Sequence, residues 1–199
     1  ELLYNSAAAE FVPVLNPDPL SVAETRRLVE ALAGMGIAVR SLIVNRVPAD
    51  PASRPAGDCP LCHARHAGAT SWLTQIEQDF ARPAGLPALN LVRVPLMAGQ
   101  VRDVEMLAGF GATLFGAASG TALEQCQTPT KDTNEPQASA CAETPRRLKP
   151  AVQRHRRTRL AELLDRDCKF LLFGGKGGVG KTSLAVATAL RIAEQRPEQ

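Results

Sequence analysis

The amino-acid sequence predicts an α/β protein built on a parallel sheet with helices on its faces. Short apolar, β-branched runs alternate with helical-period segments of ten or more residues, and Pro- or Gly-containing breakers separate them. A last apolar run, a glycine-rich loop and a last helical segment follow one another near the end of the chain. Parallel neighbours need long crossovers, usually helical, so this alternation favours a parallel sheet over hairpins.

Phe11 to Leu15 (FVPVL) reads as a strand, ended by the breaker Asn16-Pro17-Asp18-Pro19. Ser21 and Glu24 have the spacing of a capping box, and Val22, Leu28, Val29, Leu32 and Met35 share a helical face up to Gly34 and Gly36. Ala38 to Val47 (AVRSLIVNRV) is a second strand, ending near Asn45, and Pro48 to Asp58 a Pro- and Asp-rich loop. Cys59 to Phe80 reads as a helix with Trp72, Leu73, Ile76 and Phe80 on one side. Leu89 to Leu96 is a third strand, and Val101 to Phe115 an amphipathic helix. Beyond the gap, Leu160, Leu163 and Leu164 suggest a short helix, Lys169 to Phe173 a strand, and Ser183 to Glu194 a helix.

The gap itself, residues 118–158, is rich in Thr, Gln, Ser, Pro and Asn, with little apolar periodicity to repay the entropy of ordering. It is expected to be a disordered linker with a basic end, Arg146 to Arg159, which lacks the aromatics of a base-stacking surface. Net charge is only +3, from 23 basic and 20 acidic residues, so nucleic acid is not an expected partner. No apolar run reaches the length of a membrane span and no secretory signal stands at residues 1–10; a cytoplasmic location is expected. Five cysteines, an odd number, favour metal ligation or plain thiols over a disulfide framework.

The motif Gly175-Lys176-Gly177-Gly178-Val179-Gly180-Lys181-Thr182 lies between a predicted strand and a predicted helix, the context that a phosphate-binding loop requires. Polyphosphate must approach backbone N–H groups closely, and the glycines remove the side chains that would obstruct it. Lys181 is placed to reach the β- and γ-phosphates, Thr182 to offer its hydroxyl to Mg²⁺, and Ser183 to follow at the positive end of the helix. Gly175, Gly177, Gly178, Val179, Gly180, Lys181, Thr182 and Ser183 are therefore the expected nucleotide contacts.

Cys59-Pro60-Leu61-Cys62 presents two thiols at a metal-ligand spacing, half of a tetrahedral zinc site. His63 and His66 within the chain, or a second Cys-x-x-Cys elsewhere, are the two sources for the rest. A redox reading is weaker, because this motif follows a long loop rather than a strand.

Five stretches together resemble the ArsA-type ATPases, the arsenite-pump and tail-anchored-protein-targeting family. They are LSVAETRRLVEAL, LIVNRV, CPLCHAR with LTQIEQDF, VPLMAGQVRDVEML and GGKGGVGKT. The resemblance implies a P-loop NTPase fold, ATP with Mg²⁺, and ATP hydrolysis between two closing nucleotide domains. It implies that Lys176 is the second lysine of a deviant loop, KGGxGK[ST], reaching a partner's nucleotide, so that Lys176 and Lys181 are the catalytic candidates. It implies that Asn45, with the loop from Pro95 and Leu96 onward, holds the adenine. Gln100 and Asp103 depart from the residues common in related sequences.

Order along the chain adds a further expectation. Residues 1–117 match the C-terminal part of one ATPase domain and residues 159–199 the start of a second, so the sequence reads as an incomplete, individually inactive piece of a tandem protein. The expected partner is that second domain or a homodimer mate, with a membrane pump or client protein beyond it. A non-catalytic zinc-bridged module and a ParA-like partitioning ATPase are the rival readings.

Overall fold

The computed structural model describes residues 2–48, 59–81, 88–97, 103–115 and 168–195. The expected linker, the basic run at 146–159 and the short helix at 160–164 lie outside the described residues, as do Gln100 and most of the loop after Leu96. Four strands form one sheet: β1 (Ala9–Leu15), β2 (Ser41–Val47), β3 (Asn90–Pro95) and β4 (Phe170–Gly174). Their spatial order is β3-β2-β1-β4, and every neighbouring pair is parallel. The predicted α/β class is what the structure shows. Strands from both sides of the expected linker share this one sheet.

Helices α1 (Pro19–Gly34), α2 (Pro60–Ile76), α3 (Val104–Phe115) and α4 (Lys181–Gln195) cover it. Alternation along the strands divides the apolar side chains between two cores. Val12, Val14, Ile43, Val92 and Val94 pack with Phe110 and Leu114 of α3 and Leu184 and Ala187 of α4. Leu15, Leu42 and Val44 pack instead with Val22 and Val29 of α1 and Leu73 and Ile76 of α2. The chain steps from β1 to β2 to β3 in one direction, with α1 and α2 on one face. It then returns past both strands to β4, with α3 and α4 on the other, as right-handed crossovers require when the direction of travel reverses.

Local chemistry refines the predicted boundaries. α1 starts at Pro19, capped by Asp18, whose carboxylate accepts from the Ser21 N–H at 2.8 Å. The capping box expected at Ser21 is therefore displaced: fully buried Ser21 lies in the first turn, and its hydroxyl accepts from the Asn16 N–H at 3.1 Å. Proline suits that first turn because its missing N–H has no helical partner there. α2 continues from Ile76 into one π-helical turn, Glu77–Ala81, which keeps Phe80 buried beside Leu73 and Ile76. Arg26 of α1 pairs with Asp79 in that turn. Asp103 caps α3 by accepting from the Met106 N–H at 2.7 Å, a structural role for one of the residues that depart from the related sequences.

α3 and α4 approach closely at Gly111, where an added Cβ would lie 3.0 Å from the Ala187 carbonyl oxygen. Leu184, fully buried beneath the glycine-rich loop, belongs to the core that holds α4 on the sheet. Leu184→Ala is expected to cost about 2–5 kcal/mol, the range for truncating a packed leucine. The check is denaturant unfolding followed by circular dichroism.

Candidate functional site

In an open parallel sheet the connections on either side of a central strand leave in opposite directions, and a crevice opens at the carboxyl ends of the two strands. Here that crevice lies between β1, which continues to α1 on one face, and β4, which continues to α4 on the other. The loop 175–180 fills it. β4 stays paired with β1 from Ala9↔Phe170 to Pro13↔Gly174, so the loop leaves the sheet level with Pro13, two residues before β1 ends at Leu15.

The loop is fitted to the strand ends beneath it. Gly175 has φ +140°, and any Cβ there would collide with the Val14 carbonyl oxygen. At Gly180, φ is +93° and a Cβ would lie 2.6 Å from Nδ2 of Asn45. Gly177 and Gly178 are exposed, with nothing within 4 Å of an added Cβ. Between them and Gly180, Val179 is 1% exposed and anchors the loop in the core. Lys181 bridges the loop, its Nζ donating to the Lys176 carbonyl at 2.8 Å. A lysine held across glycine backbone at the start of a 15-residue helix sets ammonium, N–H groups and helix dipole at one place. Thr182 is exposed in the first turn, and Ser183 is half-buried beside it.

This cradle fits a nucleoside polyphosphate: side chains are missing where anionic oxygens must approach, and the Lys181 ammonium already lies against the loop backbone. Thr182 is the hydroxyl that would hold an accompanying Mg²⁺. Lys176 lies half-buried in the loop.

Asn45 also belongs to this constellation. It is 8% exposed, and its Nδ2 donates to the Val179 carbonyl at 2.8 Å. The structure thus brings Asn45 against the loop that carries Lys176 and leads into Lys181. Pro95 pairs with Val47 in the sheet, and Leu96, 59% exposed, donates its N–H to the Val47 carbonyl at 2.7 Å. Both therefore stand at the end of the sheet that carries Asn45. Two further contributors were not legible: Val14, whose carbonyl Gly175 covers, and Arg46, with φ +58°, whose N–H donates to Asn45 Oδ1 at 2.9 Å. Arginine is not a residue that announces a left-handed turn.

Cys59 is the N-cap residue of α2, and Cys62 stands in its first turn; both thiols are half-buried and neither is in a disulfide. Among the described residues no group of three or more His, Cys, Asp and Glu side chains could hold a metal ion, so His63 and His66 do not complete a zinc site with the two cysteines. Also among the described residues, no helix is long and apolar enough to cross a membrane.

The combination of a parallel α/β sheet and a glycine-rich loop at its switch point defines a P-loop NTPase. Comparison with known proteins gives the family. The family model described as "Anion-transporting ATPase", the ArsA type, matches residues 1–116 and 168–199, and the chain belongs to that family. It is 36% identical over 108 residues to an ATPase ASNA1 homolog of Trypanosoma cruzi, covering 53% of this chain and 27% of that protein. To the ATPase get3 of Neurospora crassa it is 35% identical over 104 residues, covering 52% and 28%. To a putative arsenical pump-driving ATPase of Halobacterium salinarum it is 26% identical over 204 residues, covering 98% of this chain and 27% of that protein. The chain thus spans little more than a quarter of the length of these relatives.

The loop glycines predict two different outcomes. Gly175→Ala sets a Cβ against backbone at a left-handed residue and is expected to destabilise the fold by more than about 2 kcal/mol. Gly177→Ala meets open space and should leave the thermal midpoint within a degree or two while weakening polyphosphate binding. Differential scanning fluorimetry with and without ATP separates the two.

Proposed function

We propose that the chain is the nucleotide-binding part of an ArsA-type ATPase that hydrolyses ATP between two closing nucleotide domains and so energises transport or client targeting. The observation that carries the proposal is the loop at the switch crevice, with Lys181 braced across its glycine backbone. Such a site acts by placing donors and positive charge where the transferring γ-phosphoryl group gathers negative charge. Lys181 and the loop N–H groups hold the phosphates, and Thr182 holds the metal, which when bound supplies further neutralising charge. Lys176 is assigned to the partner domain's nucleotide, and Pro95 and Leu96 to the base. Residues 1–199 are expected to bind ATP without turning it over, and to work in the cytoplasm.

The tandem organisation has independent support. The Halobacterium relative aligns along 98% of the chain, and its 204 aligned residues make up 27% of it, whereas 108 make up 27% of the Trypanosoma protein. The first is therefore roughly twice as long as the second, the ratio expected of two ATPase domains against one. In such a protein the β1–β4 pairing is the pairing each complete domain makes with its own loop strand. Cys59 and Cys62 would furnish two zinc ligands, the second pair coming from another domain or copy. Zinc analysis of the complete protein is expected to give one ion per two Cys-x-x-Cys motifs, lost in Cys59→Ser; absence of zinc removes this part of the proposal.

Two substitutions in the complete protein test the main reading. Lys181→Ala should abolish detectable ATP binding, measured by calorimetry. Lys176→Ala should leave binding within a fewfold of the parent while hydrolysis falls at least a hundredfold, the scale for removing a charge that acts in the transition state. Normal turnover by the Lys176 variant contradicts the cross-domain role.

A further inference from the structure

Asn45 is held by more than its neighbours in the strand. β2 carries one residue more than β3 at its end: Val44 pairs with Arg93 and Val47 with Pro95, so Asn45 and Arg46 together face Val94 alone. This bulge is completed by the left-handed Arg46, and the Arg46 N–H holds Asn45 Oδ1 at 2.9 Å. The side chain is thereby turned from the ladder toward the loop, where Nδ2 donates to the Val179 carbonyl at 2.8 Å. Gly180 leaves room for that amide, since a Cβ would stand 2.6 Å from it.

A trans peptide sets its C=O and N–H in opposite directions. Fixing the Val179 carbonyl on Asn45 therefore fixes the Gly180 N–H to point away from Asn45. We infer that Asn45 is a positioning residue for the phosphate loop: by holding the Val179–Gly180 peptide it presents the Gly180 N–H to the polyphosphate, and it governs affinity for the phosphates whatever base they carry. The inference rests on the nucleotide-site reading above and differs from it in consequence. A residue that only reads adenine alters discrimination between bases, whereas one that sets a loop peptide alters binding of a ligand with no base.

The test uses inorganic tripolyphosphate, ATP and GTP, titrated calorimetrically into the full chain at constant salt. Asn45→Ala is expected to weaken tripolyphosphate and ATP by a similar factor, about tenfold, the worth of one buried hydrogen bond expressed as affinity. Asn45→Asp keeps the shape but sets an acceptor against the Val179 carbonyl, so it should weaken both at least as much at neutral pH. Protonation restores a donor in the aspartic acid variant, so its deficit relative to the parent at the same pH should shrink as pH falls toward 5; a packing role predicts no such recovery. The inference is overturned if Asn45→Ala loses ATP while keeping tripolyphosphate, or if the aspartate variant binds like the parent at neutral pH. A parent chain that binds neither ligand overturns the nucleotide-site reading, and this inference with it.

Discussion

The pairing of β4 with β1 is the contact on which the rest of the arrangement depends. Five consecutive register pairs, Ala9↔Phe170 to Pro13↔Gly174, hold the strand that launches the glycine-rich loop. Pro13 lacks an N–H and would interrupt a ladder in mid-sheet. Here it falls where β1 passes from one neighbour to the other: the register with β2 is at Val14↔Ile43 and Leu15↔Val44. Because β4 ends level with Pro13, the chain must turn over the Val14 carbonyl, and Gly175 makes that turn. The proline, the handover between neighbours and the glycine are one geometric solution.

Burial is arranged to keep the loop in place. Val12 and Val14 of β1 enter the core shared with α3 and α4, and Leu15 enters the core under α1 and α2. Val179 joins the first of these cores from within the loop, and Leu184 joins it from the first turns of α4. Each such side chain contributes about 1.5–3 kcal/mol when buried. The loop is thus anchored at both ends and once in the middle, while the residues between the anchors stay open.

Much of this was legible in the sequence because it depends on periodicity and punctuation. Short apolar runs marked all four strands, and Asn16-Pro17 and Gly34 marked the ends of the first strand and helix. The cradle was legible because glycines flanked by a strand and a helix have few other physical uses. What escaped depends on long-range register. No local pattern says that Asn45 meets Val179, since that contact exists only once a strand from beyond residue 168 joins the sheet beside β1. The bulge was hidden for a related reason: it is defined by a count across two strands, and Arg46 carries no turn signature. At α1 two caps competed, and the side chain nearer Pro19 prevailed because proline fixes the first turn.

The four glycines of the loop read as one motif but answer to two constraints. Gly175 and Gly180 are required by the protein's own backbone and by Asn45, and Gly178 by its φ of +78°, so substitution at any of the three disturbs the fold before any ligand arrives. Gly177 is exposed and unconfined by protein, so its lack of a side chain serves an outside group. A glycine that nothing in the fold requires, set beside a lysine already braced across the loop, is a stronger sign of a ligand than one that steric conflict explains. The open face is therefore the part of the motif that speaks for phosphate, and the fitted ends are what keep that face open.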